Sequence, residues 1–249
     1  MLTEERHQEI LSILERREAV TVTELAEHLH TSESTIRRDL TALQKQGKLN
    51  KVFGGATSLS RSDGVREDAI SYRETVMSAE KDRIARYAAT LIRDDDFIFI
   101  DAGSTTSRLV DHIENRQAVY VTNGVVHALK MMQKGLQTHL IGGKIKPLTE
   151  SVVGVGAAKG LAAFNFTKAF LGTNGIDMQA GFTTPDPEEA LIKEAAVDKS
   201  YVTFVLADHT KFRRITPVTF APLRRCCILT DRLPGGNFTK ETIVKVVEE

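Results

Sequence analysis

The sequence predicts an α+β protein in two parts: a small N-terminal helical module closed by a β-hairpin, and a larger C-terminal α/β domain on a mainly parallel sheet. Three observations predict it. Apolar residues recur at helical spacing up to Leu43, then give way to a short alternating run around Gly54-Gly55. A polar stretch beginning Ser58-Leu59-Ser60-Arg61-Ser62-Asp63-Gly64 carries no apolar periodicity. From Glu80 onward, short apolar runs alternate with helical patterns, as in a doubly wound parallel sheet. The division expected is residues 1–57, a linker 58–74, and a second domain 75–249.

In the first part, Thr3 is placed to cap a helix with Glu4 and Glu5 in its first turn, where the helix dipole favours acids. Ile10, Leu11, Ile13 and Leu14 form its apolar stripe. After the strand-like Val20-Thr21-Val22, Thr23 is expected to cap a short second helix, Glu24 to His28. The turn His30-Thr31 follows, and Ser32 caps a third helix, Glu33 to Gln46, stopped by Gly47. That helix turns Ile36, Leu40 and Leu43 inward and presents Ser34, Thr35, Arg37, Arg38, Thr41 and Lys45 outward. Two short helices with a tight turn, the second basic and outward-facing, give the helix-turn-helix layout. Lys48 to Ala56 then alternates around Gly54-Gly55 as a wing.

The whole chain has 33 basic and 33 acidic side chains, so net charge does not point to nucleic acid. Distribution does. Arg37, Arg38, Lys45, Lys48 and Lys51 stand against one acid, Asp39, between residues 37 and 51. Arginine can take guanine bidentately and hydroxyls reach bases or phosphates. The expected contacts to double-stranded operator DNA are therefore Thr23, Ser32, Ser34, Thr35, Arg37, Arg38 and Lys45, with Lys48 and Lys51 of the wing on phosphates. Absence of Trp and few aromatics argue against a stacking platform for single strands. Helix-turn-helix proteins pair on repeated sites, so a homodimer or homotetramer is expected.

Thr31-Ser32-Glu33-Ser34-Thr35-Ile36-Arg37-Arg38-Asp39-Leu40, followed by Gly54-Gly55-Ala56, resembles the DeoR family of bacterial sugar-operon regulators. Before the wing glycines the family more often has arginine-threonine-histidine; here the residues are Lys51-Val52-Phe53.

In the second part, a helix from Glu80 to Arg93 precedes the strand Phe97 to Ile100. Further strands are expected at Val119–Val121, Thr138–Ile141, Lys168–Leu171, Val202–Ala207 and Cys226–Leu229. Ligands bind such sheets beyond the carboxyl ends of the strands. Those ends carry Asp101 with Gly103-Ser104-Thr105-Thr106, then Thr122-Asn123, Gly142-Gly143, Gly172 with Asn174-Gly175 and Asp177, and Lys211. Backbone N–H groups and hydroxyls at a helix start suit a phosphate. Converging on one edge, the loops make a polyol-phosphate pocket. Hydroxyls and backbone hold the phosphate, Lys211 adds charge, and Asp101, Asn174 and Asp177 take sugar hydroxyls. Gly181 to Pro187 is expected as a helix entry, and the helix after it places Glu189 and Lys193 four apart on one face.

These motifs extend the DeoR resemblance over nearly the whole chain: the D-x-G-[ST]-T-T motif, the G-x-N-G-I-D loop, the threonine-rich segment before E-A-x-x-K, and the A-D-x-[ST]-K-F ending, Ala207 to Phe212. The resemblance implies a repressor of a carbohydrate operon, released by a phosphorylated sugar as effector. The sensor fold it implies is similar to ribose-5-phosphate isomerase and glucosamine-6-phosphate deaminase. A sugar-phosphate isomerase or deaminase is thus the alternative, with Glu194 or Asp177 as base. Asn174, an amide where the isomerase loop has an acid, weighs against turnover. No catalytic residue, cofactor or metal is expected. The two cysteines, Cys226 and Cys227, are adjacent and have neither disulfide nor metal-ligand spacing. With no secretory signal and no bilayer-length apolar run, the expectation is a cytoplasmic protein without a membrane partner.

Overall fold

The computed structural model describes residues 3–17, 19–45, 48–57, 69–233, 235 and 237–248. It divides into two compact units, residues 1–66 and 67–249. The expected Gly47 stop and the stretch from Ser58 to Asp68 lie outside the described residues.

In the first unit, helices α1 (Thr3–Arg17), α2 (Val22–His28) and α3 (Glu33–Lys45) close over one core with strands β1 (Ala19–Thr21), β2 (Asn50–Val52) and β3 (Gly55–Thr57). Ile10, Leu14, Leu25, Ile36, Leu40 and Leu43 bury their side chains together. The strands form an antiparallel sheet in the order β1-β3-β2. Two expectations shift. The second helix is capped by Thr21, not Thr23: Thr21 accepts the Glu24 N–H while Glu24 reaches back to the Thr21 N–H, a reciprocal box that Thr23 cannot form. Val52 pairs with Gly55, so the wing turns on Phe53-Gly54, and Gly55 already belongs to the strand.

In the second unit, the helix α4 (Ile70–Thr75) falls within the stretch expected as linker, and its Ile70 N–H donates to the Leu148 carbonyl at 3.1 Å. Helix α5 (Ser78–Ala89) leads into strand β4 (Phe97–Ile100). Six more strands join β4 in one parallel sheet: β5 (Val119–Thr122), β6 (Gln137–Leu140), β9 (Phe166–Gly172), β12 (Ser200–Leu206), β14 (Cys227–Thr230) and β15 (Val244–Val246). Their order is β15-β14-β12-β9-β4-β5-β6. Helices α6 (Ser104–His112), α7 (Val125–Gln133), α8 (Val155–Leu161) and α9 (Pro187–Asp198) cross between strands.

Strand residues alternate between two cores, as a period of two demands. Phe99, Val121, Ala169, Leu171 and Val205 face one core with Ile192 and Ala196 of α9. Ile98, Ile100, Tyr120, Phe170 and Leu206 face the other, with Ile84 of α5, Leu109 of α6 and Met131 of α7. Both faces are covered, which is why the strands are near-continuous apolar runs. The expected helix entry at Gly181 is instead strand β11 (Gly181–Thr184), paired antiparallel with β10 (Gly175–Asp177) and β13 (Val218–Ala221). A hairpin of β7 (Lys144–Lys146) and β8 (Ser151–Val153) completes the strands named here.

The chain runs outward from β4 to β5 to β6, then returns to β9 on the other side of β4. The loops after β4 and β9 therefore diverge, and a crevice opens between them at the carboxyl edge.

Candidate functional site

Two surfaces carry chemistry, one in each unit. In the first, α3 exposes Ser34, Arg37 and Arg38 beside half-buried Thr35 and Thr41. Its start is organised by hydroxyls: Ser32 Oγ lies 2.9 Å from both Ser34 Oγ and Thr35 Oγ1. Thr23 donates to Glu33 at 2.9 Å, and Glu33 pairs with Arg37 at 3.1 Å. Arg38 makes no hydrogen bond or ion pair to any described residue. Lys51 of the wing donates to Thr41 Oγ1 at 3.0 Å, so wing and helix present one face. Arg37, Arg38, Thr41, Ala42 and Lys51 line a shallow depression there. Lys48 is exposed; Lys45 belongs to α3, but its side chain lies outside what is described. From behind, buried Asp39 takes Arg6 at 2.6 and 3.1 Å and His7 at 3.1 Å. Burial works to raise the Asp39 carboxyl, but the Arg6 and His7 hydrogen bonds hold it below its ordinary value. The pair fixes α3 against α1.

In the second unit, the loop after β4 is fixed by the side chains that sequence reasoning gave to the ligand. Asn123 Oδ1 accepts the Ala102 N–H at 2.8 Å, Thr122 Oγ1 accepts the Gly124 N–H at 3.0 Å, and Thr106 donates to the Asp101 carbonyl at 2.5 Å. These groups shape the loop rather than line an opening. Ser104 and Thr105, in the first turn of α6, make no side-chain hydrogen bond to any described residue. Asp101 is buried, accepts the Gly172 N–H at 3.1 Å and pairs with Lys193 of α9. Burial pushes the Asp101 carboxyl up, and the Lys193 ammonium opposes it. Lys193 also donates to the Gly172 carbonyl at 3.0 Å, closing the β4–β9 crevice from beneath.

Glu189, one turn before Lys193, is buried and accepts from Thr149 at 2.8 Å and Lys146 at 3.3 Å. Asn174 accepts from Thr184 at 3.2 Å where the β10–β11 hairpin leaves the sheet edge. Gly175 is required by close approach: a Cβ there would lie 2.3 Å from the Arg214 carbonyl oxygen. Asp177 is at the far end of that hairpin, and its Oδ1 accepts the Gln179 and Ala180 N–H groups at 2.8 and 2.9 Å. Gly142 and Gly143 lead into β7 beside β8, and the site's glycines after β4 and β9 are Gly103 and Gly172.

Arg73, Lys81, Arg108 and Asp208 receive no ligand role from the sequence, although Asp208 stands in one of the strand-end loops. Lys81, on α5, is buried and donates to the Val76 carbonyl at 2.7 Å and to that of Arg73. Burial first, then the charge of Lys211, push its ammonium down to about 8; Arg73 and Arg108 act the same way and Asp208 opposes. Arg73 Nε and Nη2 are buried without a hydrogen-bond partner, and so is Asp208 Oδ2. The Lys211 ammonium stands 3.9 Å from that oxygen. Arg108 donates to Ser78 at 3.3 Å and follows Ser104 by one turn of α6. The charges of Lys211, Arg73 and Arg108 thus bear on Lys81, and the Asp208 carboxylate opposes them. His127 underlies the same turn: the Gly103 N–H donates to its Nε2 at 3.5 Å, and Thr106 Oγ1 lies 3.2 Å from that nitrogen. Burial pushes the imidazole down to about 4, with Lys130 adding to it.

A basic helix with a wing, joined to an α/β unit whose parallel sheet has a topological switch point between β4 and β9, defines a class: a winged helix-turn-helix DNA-binding regulator with a sensor domain. The comparisons narrow it. Residues 6–62 match the DeoR-like helix-turn-helix domain, and residues 76–232 match the DeoR C terminal sensor domain. The chain belongs to the DeoR family of transcriptional regulators. It is 39% identical, over 100% of both chains, to the uncharacterized HTH-type transcriptional regulator FruR of Bacillus subtilis (strain 168). It is 32% identical to the lactose phosphotransferase system repressor of Staphylococcus aureus (strain N315), over 88% of each chain. Among solved structures, ribose 5-phosphate isomerase from Plasmodium falciparum aligns with a TM-score of 0.42 at 14% identity, over 55% of this chain and 54% of that one. No helix among the described residues is long and apolar enough to cross a membrane.

Proposed function

We propose that this chain is a repressor of a carbohydrate-utilisation operon whose affinity for operator DNA is set by a phosphorylated sugar bound in the second unit. The observation that carries the reading is that Arg73 Nε and Nη2 and Asp208 Oδ2 are buried without a hydrogen-bond partner, in a unit where the charges of Lys211, Arg73 and Arg108 bear on buried Lys81. Buried cationic and carboxylate atoms without hydrogen-bond partners are costly, and a bound phosphorylated ligand would supply those partners. A phosphate dianion at the α6 start would take the Ser104 and Thr105 N–H groups and hydroxyls together with these side chains. Asp208 Oδ2, an acceptor without a partner, would take a sugar hydroxyl. Thr106, Thr122 and Asn123 shape the loop, and Asp101 with Lys193 holds β4 to β9. The relative named as a lactose phosphotransferase system repressor supports the sign of the regulation.

The domain acts as a sensor and not as an enzyme. An isomerase or deaminase needs a base free to move a proton. Glu194 is exposed, next to buried Lys193, and Asp177 is occupied in its hairpin. The test is a thermal-shift screen of the full chain against sugar phosphates and the matching free sugars, followed by operator release. One phosphate that raises the melting temperature and releases DNA is expected. Equal shifts from the free sugar, or turnover of the phosphate, would overturn it. The paired state on DNA that we propose, a homodimer or homotetramer, is read by light scattering.

A further inference from the structure

We infer that Phe53, at the tip of the wing, is an apolar wedge that enters the minor groove beside the groove read by α3 and unstacks one base step. The side chain is fully exposed, and Val52 beside it is half-exposed. The tip is not a loose loop. Val52 pairs with Gly55, Gly54 takes a φ of +81°, and the Val22 N–H donates to the Gly54 carbonyl at 2.8 Å. The ring is therefore held out on a two-residue turn anchored at the start of α2. A Cβ on Gly54 would meet nothing within 4 Å, so the side of the turn next to the ring is open.

The surroundings say what covers it. Lys51, two residues before Phe53, reaches Thr41 on the outward face of α3, and Lys48, Arg37 and Arg38 are exposed on the same unit. The nearby acid Glu33 is engaged by Arg37 and Thr23. An aromatic ring standing among cations fits a polyanion with apolar faces, which is what stacked bases behind a phosphate ridge present. With α3 in the major groove, Lys51 lies over the intervening phosphates. At about 3.3 Å per residue Phe53 stands at most about 7 Å beyond Lys51, at the outer tip of the wing. Apolar side chains inserted between base steps partly unstack them and kink the duplex.

The experiment uses the full chain and the duplex it selects from a random pool, with 2-aminopurine placed step by step. Wild type is expected to brighten the probe at one step outside the sequence read by α3. Phe53→Ala is expected to lose that signal and weaken binding roughly tenfold, with the salt slope unchanged because no charge is removed. Phe53→Leu, which keeps an apolar wedge, is expected to retain most of both. Because the ring is fully exposed and packs on no described residue, circular dichroism of both variants is expected to match wild type. Phe53→Ala that binds as wild type does would overturn the wedge. So would a loss of affinity with no step-specific brightening in wild type, which would put the ring on the backbone. A changed molar mass in Phe53→Ala without a change in the DNA signal would place it against a second copy and overturn it equally.

Discussion

His127 makes the second unit sensitive to acid, with a sign and size that follow from its burial. The imidazole is buried beneath the first turn of α6 and held near a pKa of about 4, below the ordinary 6.5. The folded unit therefore keeps it neutral, while the unfolded chain takes up a proton as pH falls through 6.5. Stability is full above 6.5, falls with acidity, and stops falling near 4. At 1.36 kcal/mol per pKa unit the loss is about 3 kcal/mol, of which about 2 kcal/mol is gone by pH 5. Carboxylates titrate in the same range, so the test is a difference. His127→Gln keeps an amide near Thr106 and Gly103 but removes the titration. All four tyrosines, Tyr72, Tyr87, Tyr120 and Tyr201, lie in the second unit and the chain has no tryptophan. Tyrosine fluorescence in urea therefore reports that unit alone. The stability gap between wild type and His127→Gln should close or invert by about 2–3 kcal/mol between pH 7 and pH 4.5. Parallel curves over that range would refute the assignment of the buried neutral imidazole.

The remaining predictions concern both units. Arg38→Ala should cost about 1–3 kcal/mol of operator affinity and relax specificity at one base pair, measured by anisotropy on a panel of single-base variants. Lys48→Ala should instead weaken all duplexes alike and lower the salt slope by about one. Asp39→Asn leaves Arg6 facing a neutral amide. It should destabilise the first unit by about 2 kcal/mol, less than a fully buried pair because Arg6 keeps some water, and speed hydrogen exchange of α3 amides roughly thirtyfold. Gly175→Ala drives a methyl into the Arg214 carbonyl at 2.3 Å and should cost the second unit about 3 kcal/mol in urea unfolding; a loss under 1 kcal/mol would mean the hairpin yields.

How much of the fold was legible depended on whether an element stands by its own pattern. The five interior strands carry apolar runs such as Phe97-Ile98-Phe99-Ile100 and were readable, and so was β6, although it lies at the sheet edge and is mostly exposed. The small antiparallel sheet was not. Gly181-Phe182-Thr183-Thr184 is buried throughout, but its glycine, threonines and following Pro185 are also the residues of a turn into a helix, and only pairing with β10 and β13 decides between them. Val244-Lys245-Val246 is three residues at an edge, too short for alternation to show. The shift of a cap from Thr23 to Thr21 is of the same kind: both hydroxyls precede Glu24, and the choice lies in which one stands three residues before it.

The site was half legible, and the missing half was hidden by a sound rule. Reading along strand ends finds the loops that a parallel sheet brings to its carboxyl edge, and Asp101, Ser104, Thr105 and Lys211, which it names as candidates, do stand in those loops or at the start of the helix after β4. It assigned Thr106, Thr122 and Asn123 to the ligand because polar side chains at loop starts can serve either a ligand or their own backbone. The structure turns them to the backbone. Arg73, Lys81 and Arg108 sit on helices, where a charged residue in sequence is indistinguishable from a solvated one. What singles them out is three-dimensional: Lys81 is buried although charged, and Arg73 and Asp208 carry buried atoms with no partner. One exposed helix face can carry any number of lysines without meaning. Lys81 on α5 feels the charges of Arg73, Arg108 and Lys211, drawn from α4, α6 and the loop after β12, and the bound anion we propose would relieve that repulsion. The site is thus marked by an unfavourable energy that no stretch of sequence contains.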